Sequence, residues 1–142
     1  MIFGKRERVI RRILVVEDEP LVAFDNEHLL NEAGYEVVAT VDSLAAAREV
    51  IENDPLDLVL TDIKLAGEGD GTDVARVARE HGVPVLFVTG HCTEEAKPLG
   101  VGCLAKPYSD KVLKSALDAL DGHLQGEALK KLPPQLTLYE AA

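Results

Sequence analysis

No apolar run in the sequence approaches the roughly 18 uninterrupted residues that a membrane-spanning helix needs, so no such helix is expected. Basic charge is also scarce: 15 Lys and Arg against 25 Asp and Glu leave a net charge of −10. That balance argues against general nucleic-acid binding, which needs a basic face to neutralise phosphates. It argues equally against docking on anionic lipid. Cysteine is limited to Cys92 and Cys103, too few for a disulfide framework. Their spacing with His91 fits no structural zinc pattern, and Cys103 is expected to be a small buried thiol. The basic stretch from Met1 to Arg12 lacks the apolar core and cleavage site of a secretory signal. There is no repeat of solenoid length and no low-complexity tract. What remains is a chain of 142 residues, 46% hydrophobic and 28% charged, the size of one domain with enough apolar content for a real core. The expectation is an acidic, cytoplasmic, single globular domain.

Hydrophobic patterning alternates between strands and helices. Ile13-Leu14-Val15-Val16 is a continuous apolar run, which suits a strand buried on both faces. Apolar residues at Leu21, Val22, Phe24, Leu29, Leu30 and Ala33 have helical spacing, and Gly34 is a stop. Tyr35 to Val41 reads as a second strand. Asp42 or Ser43 caps a helix to about Asn53, with Leu44, Ala47, Val50 and Ile51 inward. Leu56 to Thr61 is a third strand ending at Asp62, followed by a loop with Gly67, Gly69 and Gly71. Thr72 opens a helix to about His81, and Gly82 ends it. Val83 to Val88 is the fourth strand, ending at Thr89-Gly90. A weaker strand runs from Gly102 to Ala105, ending at Lys106-Pro107. Ser109 caps a last helix from Asp110 to about Leu124, with Val112, Leu113, Ala116, Leu117 and Leu120 inward. Between the fourth and fifth strands, Gly90 to Val101 leaves room for about one helical turn near Glu94 to Lys97. This order predicts an α/β fold, a doubly wound parallel sheet with helices on both faces.

In such sheets, sites form beyond the carboxyl ends of the strands. Those ends carry Glu17-Asp18, Asp62, Thr89 and Lys106. Three clustered carboxylates resist ionising together unless a cation offsets them. Magnesium prefers oxygen ligands and is typically held by one or two carboxylates with a phosphate. The set therefore points to metal-assisted phosphoryl chemistry. Lys106 and Thr89 would face phosphoryl oxygens, and one carboxylate would be free to act as nucleophile. His28, His81 and His123 are expected at the surface, and Tyr108 is read as a packing residue.

The stretches Ile13 to Pro20, Leu58 to Asp62, Val88-Thr89-Gly90 and Lys106-Pro107 together resemble the receiver domain of two-component response regulators. The resemblance covers about residues 10–125, leaving an N-terminal arm at 1–9 and a flexible C-terminal tail at 126–142. Arg6, Arg8, Arg11 and Arg12 read as a solvated basic arm. The resemblance implies a flavodoxin-like, five-stranded parallel sheet of order 2-1-3-4-5, here with a shortened or missing fourth helix. It implies Asp62 as phosphoacceptor, and Mg²⁺ held by Asp18, Asp62 and the Lys64 backbone carbonyl, with Glu17 acting mostly through water. Thr89 would be the switch hydroxyl, Lys106 the phosphoryl-contacting lysine, and the bond to Pro107 cis. Phe87 to Cys92 is similar to the FATGUY subgroup of single-domain receivers, although Cys92 stands where tyrosine is usual. Cys103 stands at the position of the usual switch aromatic. The resemblance implies a histidine kinase or phosphotransfer protein as donor, with output by protein–protein contact or phosphate-sink behaviour. It implies no enzymatic turnover beyond self-catalysed phosphotransfer and dephosphorylation. An order–disorder change in residues 90–108 is expected to replace the rotating aromatic. Two other readings fit less well. A haloacid-dehalogenase-type phosphohydrolase would place Asp-x-Asp after the first strand and add a cap domain. A flavodoxin-like cofactor binder would not place Glu17-Asp18-Glu19 at a phosphate loop.

Overall fold

The central strands are apolar between their ends, and their side chains point alternately to the two sides of one sheet. The computed structural model describes residues 7–127 and 131–139. The strands are β1 (Arg12–Val16), β2 (Glu36–Val41), β3 (Leu58–Thr61), β4 (Val85–Thr89), β5 (Gly102–Ala105) and β6 (Leu136–Leu138). The helices are α1 (Pro20–Glu32), α2 (Leu44–Asn53), α3 (Gly71–Glu80) and α4 (Asp110–Leu124). The sheet order is β2-β1-β3-β4-β5-β6. All pairings are parallel except that of β5 with β6. The expected order 2-1-3-4-5 is present, with a sixth, antiparallel strand added.

The alternation builds two cores. Ile13, Val15, Leu58, Leu60, Leu86, Val88 and Leu104 face Leu30 of α1 and Leu113, Leu117 and Leu120 of α4. Leu14, Val16, Val59, Val85, Phe87 and Cys103 face Ala47 and Ile51 of α2 and Val74, Ala75 and Ala78 of α3. Each helix starts at a definable point. Pro20 occupies the first turn of α1, where its missing N–H costs nothing. Ser43 caps α2, and Ser109 caps α4. Asp70, one residue before the helix begins at Gly71, caps α3 through a reciprocal box with Asp73.

The helical spacing of α1 left its inner face open: Leu21 and Phe24 point outward, 79% and 65% exposed, while Ala23, Asn26 and Leu30 face in. Several expectations are corrected. Between β4 and β5 lies a 3₁₀ segment, Glu94–Leu99, longer than one turn and running through Pro98. Pro98 has no N–H, so it leaves one i→i+3 bond of the segment unmade. The C-terminal tail is not a free appendage over 131–139. Gly102, without a side chain, admits the Thr137 carbonyl beside it, so β6 can lie close along the β5 edge. Leu136 and Tyr139 are buried against the two faces. The basic arm is docked over its described part. The Arg8 guanidinium lies 4.3 Å from the Tyr35 ring centroid, and Arg12 belongs to β1. The amides of Val9 and Ile10 donate to buried Asp121 of α4 at 3.0 and 2.9 Å. Arg6 and the chain end at 140–142 lie outside the described residues.

Candidate functional site

The parallel strands β1, β3, β4 and β5 all end at the same edge, so the residues that follow them converge. Glu17 and Asp18 follow β1, Asp62 follows β3, Thr89 closes β4, and Lys106 follows β5. Carboxylate oxygens of Glu17, Asp18 and Asp62 lie within 4.8 Å of one another. The Lys106 ammonium sits between two of them, 2.8 Å from Glu17 Oε1 and 2.7 Å from Asp62 Oδ2. Glu19 Oε1 is 3.7 Å away. Thr89 and Ala105 are paired across β4 and β5, and the Lys106 amide donates to the Thr89 carbonyl at 2.8 Å. This places the hydroxyl and the ammonium on neighbouring strands. The Lys106–Pro107 peptide bond is cis.

Burial differentiates the acids. Glu17 is 2% exposed, and its carboxylate also accepts from the Glu19 amide at 3.2 Å. Asp18 is exposed. Asp62 is buried at the base of the cleft, and its Oδ1 accepts from the Ile63 and Lys64 amides at 2.6 and 3.4 Å. Burial pushes the Glu17 carboxyl above its ordinary range, against the opposing pull of Lys106. Burial alone would lower the Lys106 ammonium. The Asp62 and Glu17 carboxylates bonded to it outweigh that effect and hold it above the usual lysine value. The lysine is thus a fixed positive charge.

Above these groups lies a cleft of about 530 Å³, lined by Asp18, Glu19, Asp62, Ile63, Lys64, Thr89, Gly90, His91, Thr93 and Lys106. The cluster at its base, Glu17, Asp18 and Asp62, sets three carboxylates against the Lys106 ammonium. That leaves two uncompensated negative charges on hard oxygen donors, the set that suits a divalent cation such as Mg²⁺. Lys64 lines the same cleft.

Other contributors were not evident from the residue pattern. Gly71 is one. A Cβ there would overlap the Asp62 carbonyl and crowd the Ile63 Cα, so only glycine lets α3 start this close to the acid. The Gly71 amide donates to the Ile63 carbonyl at 2.7 Å. Tyr108, read as a packing residue, is partly buried beside the apolar core, and its hydroxyl also donates to Asn26 Oδ1 of α1 at 3.2 Å. The expectation of a free thiol at Cys103 is overturned: Cys103 is fully buried and disulfide-bonded to Cys92. Eleven positions of separation carried no signal of pairing. The pairing arises because β5 returns beside β4 and brings the two Cα atoms to 6.2 Å.

The family model described as response regulator receiver domain matches residues 13–118. Transcriptional regulatory protein PdtaR of Mycobacterium tuberculosis is 34% identical over 116 residues, 78% of this chain and 56% of that protein. TorCAD operon transcriptional regulatory protein TorR of Escherichia coli O157:H7 is 34% identical over 103 residues, 72% of this chain and 44% of the relative. The chain thus spans about half the length of these curated relatives. Among solved structures, a response regulator receiver protein from Sinorhizobium medicae WSM419 superposes with TM-score 0.68 at 35% identity. That match covers 78% of this chain and 94% of the other. The receiver domain of sensor histidine kinase PA1611 from Pseudomonas aeruginosa PAO1, solved with a magnesium ion coordinated in its active-site cleft, gives TM-score 0.68 at 28% identity. It covers 80% of this chain and 98% of that one. With the sheet order, the convergent acids and the lysine between them all in agreement, the chain belongs to the response regulator receiver domain family.

Proposed function

We propose that this receiver accepts a phosphoryl group on Asp62 from a phosphohistidine of a kinase or phosphotransfer protein, in a Mg²⁺-dependent step. The observation that carries the reading is Asp62 at the cleft floor, within hydrogen-bonding distance of Lys106 and clustered with Glu17 and Asp18. A carboxylate oxygen of Asp62 attacks phosphorus, and the phosphorus–nitrogen bond of the donor breaks with its electron pair left on the imidazole. The Lys106 ammonium offsets charge on the phosphoryl oxygens, and the Thr89 hydroxyl donates to one of them. Asp18, Asp62 and the Lys64 carbonyl would hold the cation, with Glu17 behind them. When bound, it supplies positive charge shared between the acids and the phosphoryl group.

The protein acts as a cytoplasmic receiver of the FATGUY-like kind, without turnover of a small substrate. The 3₁₀ segment between β4 and β5, where the resemblance implies a shortened or missing helix, supports that grouping. Output is protein–protein contact through residues 90–108, or withdrawal of phosphoryl groups from a shared kinase. The test is labelling from a phosphorylated kinase in the presence of Mg²⁺. Asp62→Asn keeps the side-chain shape and removes the nucleophile, so its label should fall below about 1% of the parent's. Chelation of Mg²⁺ should give a comparable loss. Equal labelling of variant and parent refutes the assignment.

A further inference from the structure

Cys92 lies three residues after Thr89, and Cys103 lies three residues before Lys106. The bond between them therefore ties the two strand-end segments that carry the cleft's hydroxyl and its ammonium. Cys103 is a fixed anchor. It is fully buried, paired with Phe87 on β4 and with Thr137 on β6. Cys92 is only half-buried and lies between His91 and Thr93, both of which line the cleft.

Leu99 and Val101 pack on the two cores, and Val101 bonds to Val85 and Tyr139, but from Thr93 to Pro98 the chain enclosed by the bond has few other attachments. In the 3₁₀ segment only Ala96 is fully buried. The Lys97–Glu94 ion pair is local and solvent-exposed. Arg79 of α3 reaches the Pro98 carbonyl from an exposed position at 2.8 Å. Few buried contacts mean a low free energy of local opening, so the disulfide dominates the order of this segment.

We propose that Cys92–Cys103 is a reversible oxidation site that sets the mobility of residues 90–98 and thereby regulates the phosphoacceptor cleft. The regulatory half rests on the Asp62 reading above. The oxidant is a low-molecular-weight disulfide. The Cys92 thiolate, the more accessible sulfur, attacks it and releases one small thiol. Cys103, having given up its proton, then attacks the Cys92 sulfur of the mixed disulfide and releases the second. One protein dithiol and one small disulfide become one protein disulfide and two small thiols. An external thiol pair reverses the sequence. In the disulfide form the cleft wall is already ordered, so a phosphoryl group has little left to order. In the dithiol form the order–disorder response is available.

The experiment uses the full chain, equilibrated with oxidised glutathione or with dithiothreitol. Alkylation and mass measurement should find no reactive thiols in the first case and two in the second. Free thiols persisting under excess oxidised glutathione overturn the proposal. Hydrogen exchange at His91 to Lys97 should be on the order of tenfold faster in the reduced protein. Adding beryllofluoride with Mg²⁺ should restore protection there in the reduced form and change the oxidised form several-fold less. Cys92→Ser, altered only at the half-buried end, should behave as the reduced parent with or without dithiothreitol. Equal exchange in the two parent forms overturns the redox site, and that comparison needs no variant. Absence of label on Asp62 from a phosphorylated kinase in both redox forms overturns the Asp62 reading and the regulatory half with it. The exchange difference without beryllofluoride stands apart from that outcome.

Discussion

At the scale of single residues, the site is a contest between carboxylates for one ammonium and, on the proposed function, one cation. Lys106 already neutralises part of Glu17 and Asp62 at 2.8 and 2.7 Å. Asp18 is exposed at the cleft, whereas Glu17 is buried and committed to Lys106 and the Glu19 amide. A ligand that faces the cleft contributes more to metal binding than one held behind it. Asp18→Ala should therefore weaken Mg²⁺ binding by roughly 10–100-fold, and Glu17→Gln by less than about tenfold. Calorimetric titration of each variant with Mg²⁺ decides this, and the reverse order would show that the two acids have exchanged roles. The same residues explain why their gathering at one edge was legible in the sequence. Acids, hydroxyl and lysine each sit where an apolar run stops, and in a parallel sheet all such stops share one edge.

At the scale of the element, the junction of β3 and α3 bears most directly on function. Asp70 and Asp73 close the first turn of α3, and Gly71 lets that turn press on the backbone of Asp62. Gly71→Ala introduces a methyl group where backbone already stands, and backbone cannot rotate away as a side chain can. The substitution should cost about 2–3 kcal/mol in urea denaturation. It should also lower phosphoryl labelling per folded molecule, because the displaced atoms belong to Asp62 and Ile63. An unchanged labelling yield would show that the close approach serves packing alone. Asp70→Ala provides the contrast. It removes the oxygen that accepts from the Thr72 and Asp73 amides at 2.8 and 3.3 Å, and should cost about 1 kcal/mol with labelling preserved. Residue types revealed the glycine-rich loop as a loop. They did not reveal which glycine touches the acid, because that depends on where α3 lies against β3.

At the scale of the whole molecule, the sheet is extended beyond its expected edge. Strand β6 pairs with β5, and the amide of Tyr139 donates to the Val101 carbonyl at 2.9 Å. Tyr139 is 8% exposed and packs in the core cluster that contains Cys103, Ala96 and Phe87. Tyr139→Ala should cost about 2–3 kcal/mol, read as a lower urea midpoint at unchanged slope. A residue on a free tail would change stability by no more than about 0.5 kcal/mol. The N-terminal segment is tied in a comparable way, through the Val9 and Ile10 amides on Asp121. Both ends of the described chain thus join the receiver core rather than trailing from it.

The sequence by itself determined the order of strands and helices, the parallel sheet and the residues gathered at its carboxyl edge. Those features depend on local hydrophobic period and on where each run ends, and both are written along the chain. Only the tertiary structure decided what depends on distance between separate elements. The burial of Glu17 against the exposure of Asp18 follows from the packing of the loop after β1. The outward turn of Leu21 and Phe24 follows from which face of α1 meets the sheet, a choice that helical spacing leaves open when apolar residues surround the helix. The sixth strand required an unpaired β5 edge within reach of the short run Leu136-Thr137-Leu138, too brief to signal a strand alone. The Cys92–Cys103 bond required β5 to return beside β4. Two cysteines flanking a loop are indistinguishable in sequence from two free thiols until the strands on either side bring their Cα atoms together.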